Sequence, residues 1–233
     1  MPGPRGVTWT RQNFQTGVIT SSPTAGTVVG LEPGGDGGGP PDGTATSPAA
    51  ALLAALPVLP EDTSRYDRDL FPHWSDLDMD GCDTRDEVLI TESQTPVTLG
   101  PGCALSGGRW LSYYDAATWT RPEDLQVDHV VALSEAWDSG AHAWTTSRRE
   151  AFANDLAYAG TLQAVTGAVN QAKSDSDPAQ WLPPAADAHC TYATTWVAIK
   201  WRWSLTIDPT EQQALTRMLA GPCGQRTIPV TPA

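Results

Sequence analysis

Two pairs of residues in this 233-residue chain have the types and spacing to act together. Asp128 and His129 set a carboxylate beside an imidazole. Asn170 and Lys173 stand at i and i+3, which on a helix is one face. A carboxylate oxygen and an amide oxygen are hard ligands that suit Mg²⁺ or Mn²⁺. An imidazole held beside such an ion can take a proton from water. A lysine can hold a phosphate as a point charge. One geometric condition follows. Neighbours on a regular strand point to opposite faces, so Asp128 and His129 serve one site only if their strand ends or bulges there. A third set, Asp76-x-Asp78-x-Asp80-Gly81 with Glu87 eleven residues after Asp76, has the spacing of a calcium loop. Asp83 stands where such loops carry an apolar residue, and no long flanking helices are evident.

The elements that must position these residues are readable in outline. Leu125–Val131 and Leu162–Val165 are β-prone runs, and Glu87–Thr91 is a third. Ser147 with Glu150 predicts a helix start by a capping box. Asp177-Pro178-Ala179-Gln180 and Asp208-Pro209-Thr210-Glu211 predict two more, with Gly221-Pro222 as a stop. Tyr192, Trp196, Ile199 and Trp203 recur at helical spacing and predict a core stripe. Ala49–Leu59 reads as a short core helix. With three Phe, the ten Trp fit a core better than a base-stacking surface. The fold class is α+β with little sheet.

Composition sets the outer limits. Gly (21) and Pro (20) are plentiful, and the run Gly-Gly-Asp-Gly-Gly-Gly-Pro-Pro at 34–41 cannot bury enough apolar surface to order itself. Residues 1–47 are expected to be a disordered tail or leader, 48–223 the folded domain, and 224–233 a C-terminal tail. No apolar run is long enough to span a membrane. The net charge of −13 excludes a generic basic DNA binder. Most of the excess lies in 61–92, where 11 acidic residues face 3 basic ones. Cys82, Cys103, Cys190 and Cys223 form no CxxC pair, and three disulfide pairings are open to them. Disulfides would imply export, although no apolar signal segment follows Arg5 and Arg11.

The same residues carry a resemblance. Asp128-His129-Val130-Val131, then a strand, then Asn170-x-x-Lys173-Ser174-Asp175 resembles the HNH nucleases of the ββα-metal class. Tyr66-Asp67-Arg68-x-x-Phe71 and the segment from Trp74 through Asp80-Gly81-Cys82 to Arg85 extend the likeness over about residues 50–223. They point to exported actinobacterial proteins related to the C-terminal nuclease domain of GmrSD restriction enzymes. The resemblance implies a mainly helical, disulfide-stabilised domain around a ββα-metal finger. Asp128 and Asn170 would ligate one divalent cation, Mg²⁺ or Mn²⁺, and His129 would be the general base. Lys173 and Arg85 would meet the substrate. The cysteines would pair as Cys82–Cys103 and Cys190–Cys223.

The expected activity is metal-dependent endonuclease cleavage of DNA with little sequence preference, with RNA as a further substrate. The expected protein is a secreted monomer with no membrane partner. The middle Asn of the HNH pattern falls on Thr161, with Asn154 as its other candidate. The rival reading is a noncatalytic extracellular binding module, stabilised by Ca²⁺ at Asp76, Asp78, Asp80 and Glu87.

Overall fold

A computed structural model describes residues 45–233, and most of the expected leader therefore lies outside the described residues. The described residues open with β1 (Ala45–Pro48) and α1 (Ala49–Ala55). Next come α2 (Thr84–Glu92), β2 (Val97–Leu99), β3 (Leu105–Gly107), β4 (Trp110–Ser112) and β5 (Ala117–Trp119). The central part holds β6 (Leu125–His129), α3 (Leu133–Asp138), α4 (Thr146–Ala153), β7 (Leu162–Thr166) and α5 (Gly167–Lys173). It closes with α6 (His189–Arg202), α7 (Pro209–Met218) and β8 (Thr227–Val230). The strands form four two-stranded antiparallel sheets, β1–β8, β2–β3, β4–β5 and β6–β7. The class is thus mixed α and β with small sheets, as composition and pattern suggested. Residues 45–47 and 227–230, assigned to flanking segments by composition, pair with each other. Four residues of strand are too short a signal to stand out beside Gly- and Pro-rich sequence.

Helix α6 runs through the main core. The stripe Tyr192, Trp196, Ile199 and Trp203 is buried: Tyr192 meets the Tyr114 and Trp181 rings, Trp196 Nε1 donates to Glu211 of α7, and Trp203 meets Trp144 and Phe152. Burying each such side chain contributes about 1.5–3 kcal/mol, so this helix is the main anchor. Lys200 of α6 reaches Glu135 and Ser139 at α3 and Glu211 on α7, which fixes the three helices in one network. Both disulfides are the sequential ones: Cys82–Cys103 ties the acidic loop to the turn before β3, and Cys190–Cys223 ties the start of α6 to the segment after α7.

Three local expectations differ from the structure. Glu87–Thr91 is helical, within α2, because the Asp83 side chain caps Asp86 N–H and two acids occupy the first turn. Helix α4 starts from Thr145, whose hydroxyl accepts from Arg148 N–H, not from Ser147. Asp177 does accept from the Ala179 and Gln180 N–H groups, but only one turn forms before Pro183-Pro184 removes the donors a helix needs. The capping box of Asp208 and Glu211 is present as expected.

A second apolar cluster supports the β6–β7 hairpin. Leu125 and Val127 of β6 and Leu162 and Ala164 of β7 pack with Val88 and Leu89 of α2 and Trp110 of β4. The outer edge of β7 is closed by Glu92, whose carboxylate accepts from Ala164 N–H at 2.9 Å and Gln163 Nε2 at 3.0 Å. Burial pushes the Glu92 carboxyl up to about 8, against the Ala164 hydrogen bond. An acid raised in the folded state holds its proton more tightly there than in the unfolded chain. Stability should therefore fall as pH rises from about 4.5 to 8 and be level below that window. Glu92→Gln should flatten this slope and be more stable at pH 8 by about 1–2 kcal/mol, after allowing for partial exposure. Urea unfolding of both proteins at pH 5 and pH 8 checks this; equal losses in both would remove Glu92 as the cause.

Candidate active site

The hairpin and the helix after it meet at one cavity of about 310 Å³. Asp128, His129, Asn170, Asp175, Tyr66 and Arg68 are among its walls, with Ser134 and Ser174 beside them. The register pairs Asp128 with Gln163 and His129 with Leu162. Strand β6 stops at His129, which meets the condition for two adjacent residues to share a site. Asp128 lies on the face toward α5, with Gln126, while His129 lies on the face toward Trp74 and α4.

Asp128 is fixed from two sides. Tyr114 donates its hydroxyl to Oδ2 at 2.6 Å, and Lys173 Nζ donates to Oδ1 at 3.0 Å. Lys173 also donates to the His129 carbonyl at 3.0 Å. Burial raises the Asp128 carboxyl above its ordinary value, opposed by Lys173 and by the Tyr114 hydrogen bond. Each carboxylate oxygen keeps a second lone pair for a further partner. Burial and the neighbouring Asp128 charge raise Tyr114 well above its ordinary value, so it stays a donor.

His129 is equally constrained. Its Nε2 lies 2.9 Å from the Ala153 carbonyl. A carbonyl only accepts, so the proton is on Nε2 and the lone pair is on Nδ1. The Trp74 ring lies 5.4 Å from the imidazole. Burial pushes the imidazole down to about 3, helped by the neighbouring Arg68, His73 and Lys173 and opposed by the Ala153 carbonyl. It is therefore neutral, in its proton-accepting form, at pH 7.

The loop after His129 is braced mainly by backbone. Val130 N–H donates to the Thr161 carbonyl at 3.0 Å, and the Thr161 hydroxyl donates to Asp155. Asp155 is held in turn by Arg202 and by Trp203 Nε1. Asn154 does a different job. Its amide accepts from Ser75 N–H and donates to the Pro72 and Glu150 carbonyls, which sets the Pro72–Ser75 segment that carries Trp74. Thr161 thus braces the histidine strand through its carbonyl, and Asn154 acts one layer out.

The other candidates are placed as follows. Asn170 donates its Nδ2 to Gln126 Oε1 at 3.1 Å, which leaves its amide oxygen as an acceptor at the cavity. With Asp128 this set of oxygen donors fits a hard divalent cation. Lys173 is fully buried and is not among the cavity walls; its charge is held inside by Asp128. Arg85 lies on α2 with its guanidinium on the Pro122 carbonyl and near Asp86, apart from the cavity. Carboxylate oxygens of Asp76, Asp78 and Asp80 come within 4.8 Å of one another, while Glu87 groups with Asp80 and the disulfide-bonded Cys82. Asp80 is common to both groups, so the four proposed calcium ligands lie along one stretch of this loop and the start of α2. Tyr114 and Arg68 are site residues that residue-type reasoning did not select. Arg68 had a signal, the Tyr-Asp-Arg segment, whereas no pattern marked Tyr114.

A sequence model of the family described as GmrSD restriction endonucleases, C-terminal domain, matches residues 101–218. An uncharacterized secreted protein of the fungus Arthroderma benhamiae is 46% identical over 182 residues, covering 77% of this chain and 87% of its own length. No solved structure matches the chain. The chain belongs to the GmrSD C-terminal domain family, whose description points to nuclease-like function. With two disulfides and a secreted relative of this identity, the protein is a secreted one. Among the described residues no helix is long and apolar enough to cross a membrane.

Proposed function

We propose that the protein is a metal-dependent HNH endonuclease that hydrolyses phosphodiester bonds in DNA with little sequence preference. The observation that carries this reading is the convergence of Asp128, His129 and Asn170 on one cavity from a hairpin and the helix that follows it. Asp128 and Asn170 would hold one divalent cation, Mg²⁺ or Mn²⁺, which would stabilise the phosphate charge and the leaving 3′ oxygen.

His129 takes the proton of the attacking water on Nδ1, since Nε2 is committed to Ala153. The Ala153 carbonyl then stabilises the imidazolium through the same hydrogen bond. The incoming phosphate offsets the nearby cations that depress His129, so basicity rises when substrate is bound. Tyr114 and Lys173 keep Asp128 from turning away. Attack by water leaves a 5′-phosphate. The net charge of −13 keeps nonspecific affinity modest, because few phosphates can be matched by cations.

Replacement of Asn170 tests the metal assignment. Asn170→Ala leaves Asp128 as the one assigned protein ligand, too few to hold Mg²⁺ well against its water shell. Calorimetric titration with Mn²⁺ should show binding in the parent, tighter binding in Asn170→Asp, and none in Asn170→Ala. Asn170→Asp should cleave more slowly despite the tighter ion, because a second carboxylate reduces its pull on the phosphate. Parent-like Mn²⁺ binding by Asn170→Ala would remove α5 from the metal site.

A further inference from the structure

Among the described residues the cavity walls hold one Lys or Arg side chain, and it comes from outside the hairpin and helix. Lys173 is sealed behind Asp128, and the walls carry two carboxylates, Asp128 and Asp175. The cation proposed at Asp128 and Asn170 would meet part of a phosphodiester's charge, and a side-chain cation is what could receive a second phosphate oxygen beside Asp175. Arg68 is exposed, lines this cavity, and lies against the Tyr66 hydroxyl. Its segment is held rigidly. The Asp67 side chain accepts from Asp69 N–H at 3.0 Å, and Phe71 N–H donates to the Arg68 carbonyl at 3.0 Å. Phe71 is fully buried, with Tyr66 and Trp137 rings each 6.3 Å from it, and Arg149 Nε donates to the Leu70 carbonyl at 2.9 Å. The backbone of the turn is therefore pinned while the exposed Arg68 side chain borders the cavity.

We infer that Arg68 is the substrate-phosphate residue of this site, the part expected of Lys173 and Arg85. A guanidinium offers two parallel N–H groups to two phosphate oxygens, which a lysine cannot do. The inference rests on the nuclease reading. It adds that residues 101–218 do not contain the whole site, because Tyr66 and Arg68 lie before that segment.

The test uses the full chain with Mn²⁺ on two substrates, supercoiled plasmid and bis(4-nitrophenyl) phosphate. The small diester reports the contact at the reacting phosphate without the rest of a DNA backbone. Arg68→Ala should lower kcat/KM on both by about 10–100-fold, the loss expected for a charge-assisted contact. Arg68→Lys should recover part of it, and millimolar guanidinium chloride should partly rescue Arg68→Ala and not the parent. Calorimetric Mn²⁺ binding and thermal melting should match the parent, and Arg217→Ala, an equal loss of charge on α7, should cleave normally. If the parent cleaves and Arg68→Ala cleaves within threefold of it without response to guanidinium, Arg68 is not the phosphate residue and the nuclease reading stands. If Arg68→Ala loses activity only in step with its fold, as Arg68→Gln and Arg68→Lys would also show, the role is structural and the inference fails. If the parent cleaves neither substrate with Mg²⁺ or Mn²⁺, the nuclease reading falls and this inference falls with it.

Discussion

Replacing His129 with alanine should leave a folded protein that cleaves about 10²–10⁴-fold more slowly, the usual cost of losing a positioned base. The size follows from how fully the ring is committed. Its Nε2 is occupied by the Ala153 carbonyl, its face is met by Trp74, and the Nδ1 lone pair is the remaining function. Among the described residues His129 is the one histidine in the cavity walls, and His73 nearby has its Nδ1 on the Phe71 carbonyl. The fold should survive, because the strand is held by its pairing to β7 and by Val127 and Leu125 in the apolar cluster. Mn²⁺ binding should persist, since the imidazole is not one of the assigned ligands. Plasmid nicking, calorimetry and circular dichroism on one preparation check all three. A variant that nicks near the parental rate would take His129 out of the mechanism.

Lys173→Met should have the largest effect on stability. The side chain is fully buried, and its ammonium is shared by Asp128 Oδ1 and the His129 carbonyl, both at 3.0 Å. Methionine fills a similar volume but leaves Asp128 charged and unmatched in the interior. Breaking a buried pair on one side typically costs about 3–5 kcal/mol. The double variant Lys173→Met with Asp128→Asn should regain much of the loss, because the orphaned charge is gone. Urea unfolding of the two single variants and the double gives the coupling directly. If Lys173→Met is as stable as the parent, Lys173 does not neutralise Asp128 and belongs on the cavity surface after all.

These two residues show what was legible in the sequence and what was not. The β-prone run Leu125–Val131 marked a strand, which ends at His129, and Asn170 and Lys173 at i and i+3 would share a face on a helix, which α5 supplies. Both placements follow from local sequence, and the structure has a strand and a helix there. The direction of the Lys173 ammonium does not follow from periodicity. It depends on Tyr114 and on where β6 stops, contacts separated by 14 and 45 residues from Asp128. Glu87–Thr91 failed for a related reason: its β propensity was overridden by the Asp83 cap next to it and by the Trp110 and Leu125 surface that α2 covers. Asp177 was a correct cap in front of a helix that Pro183-Pro184 could not continue. Spacing alone left three disulfide pairings open, and the expected sequential one is the one observed. Arg68 carries no local sign of its place, because an exposed arginine in an acidic segment has no pattern that ties it to a cavity.

Supercoiled-plasmid nicking by the purified parent, with Mg²⁺, Mn²⁺ or excess EDTA, tests the central claim most directly. The account predicts nicked and then linear plasmid with either metal, with 5′-phosphate ends that a ligase can reseal, and intact supercoils in EDTA. Intact supercoils under all three conditions, or equal cleavage in EDTA, would contradict it.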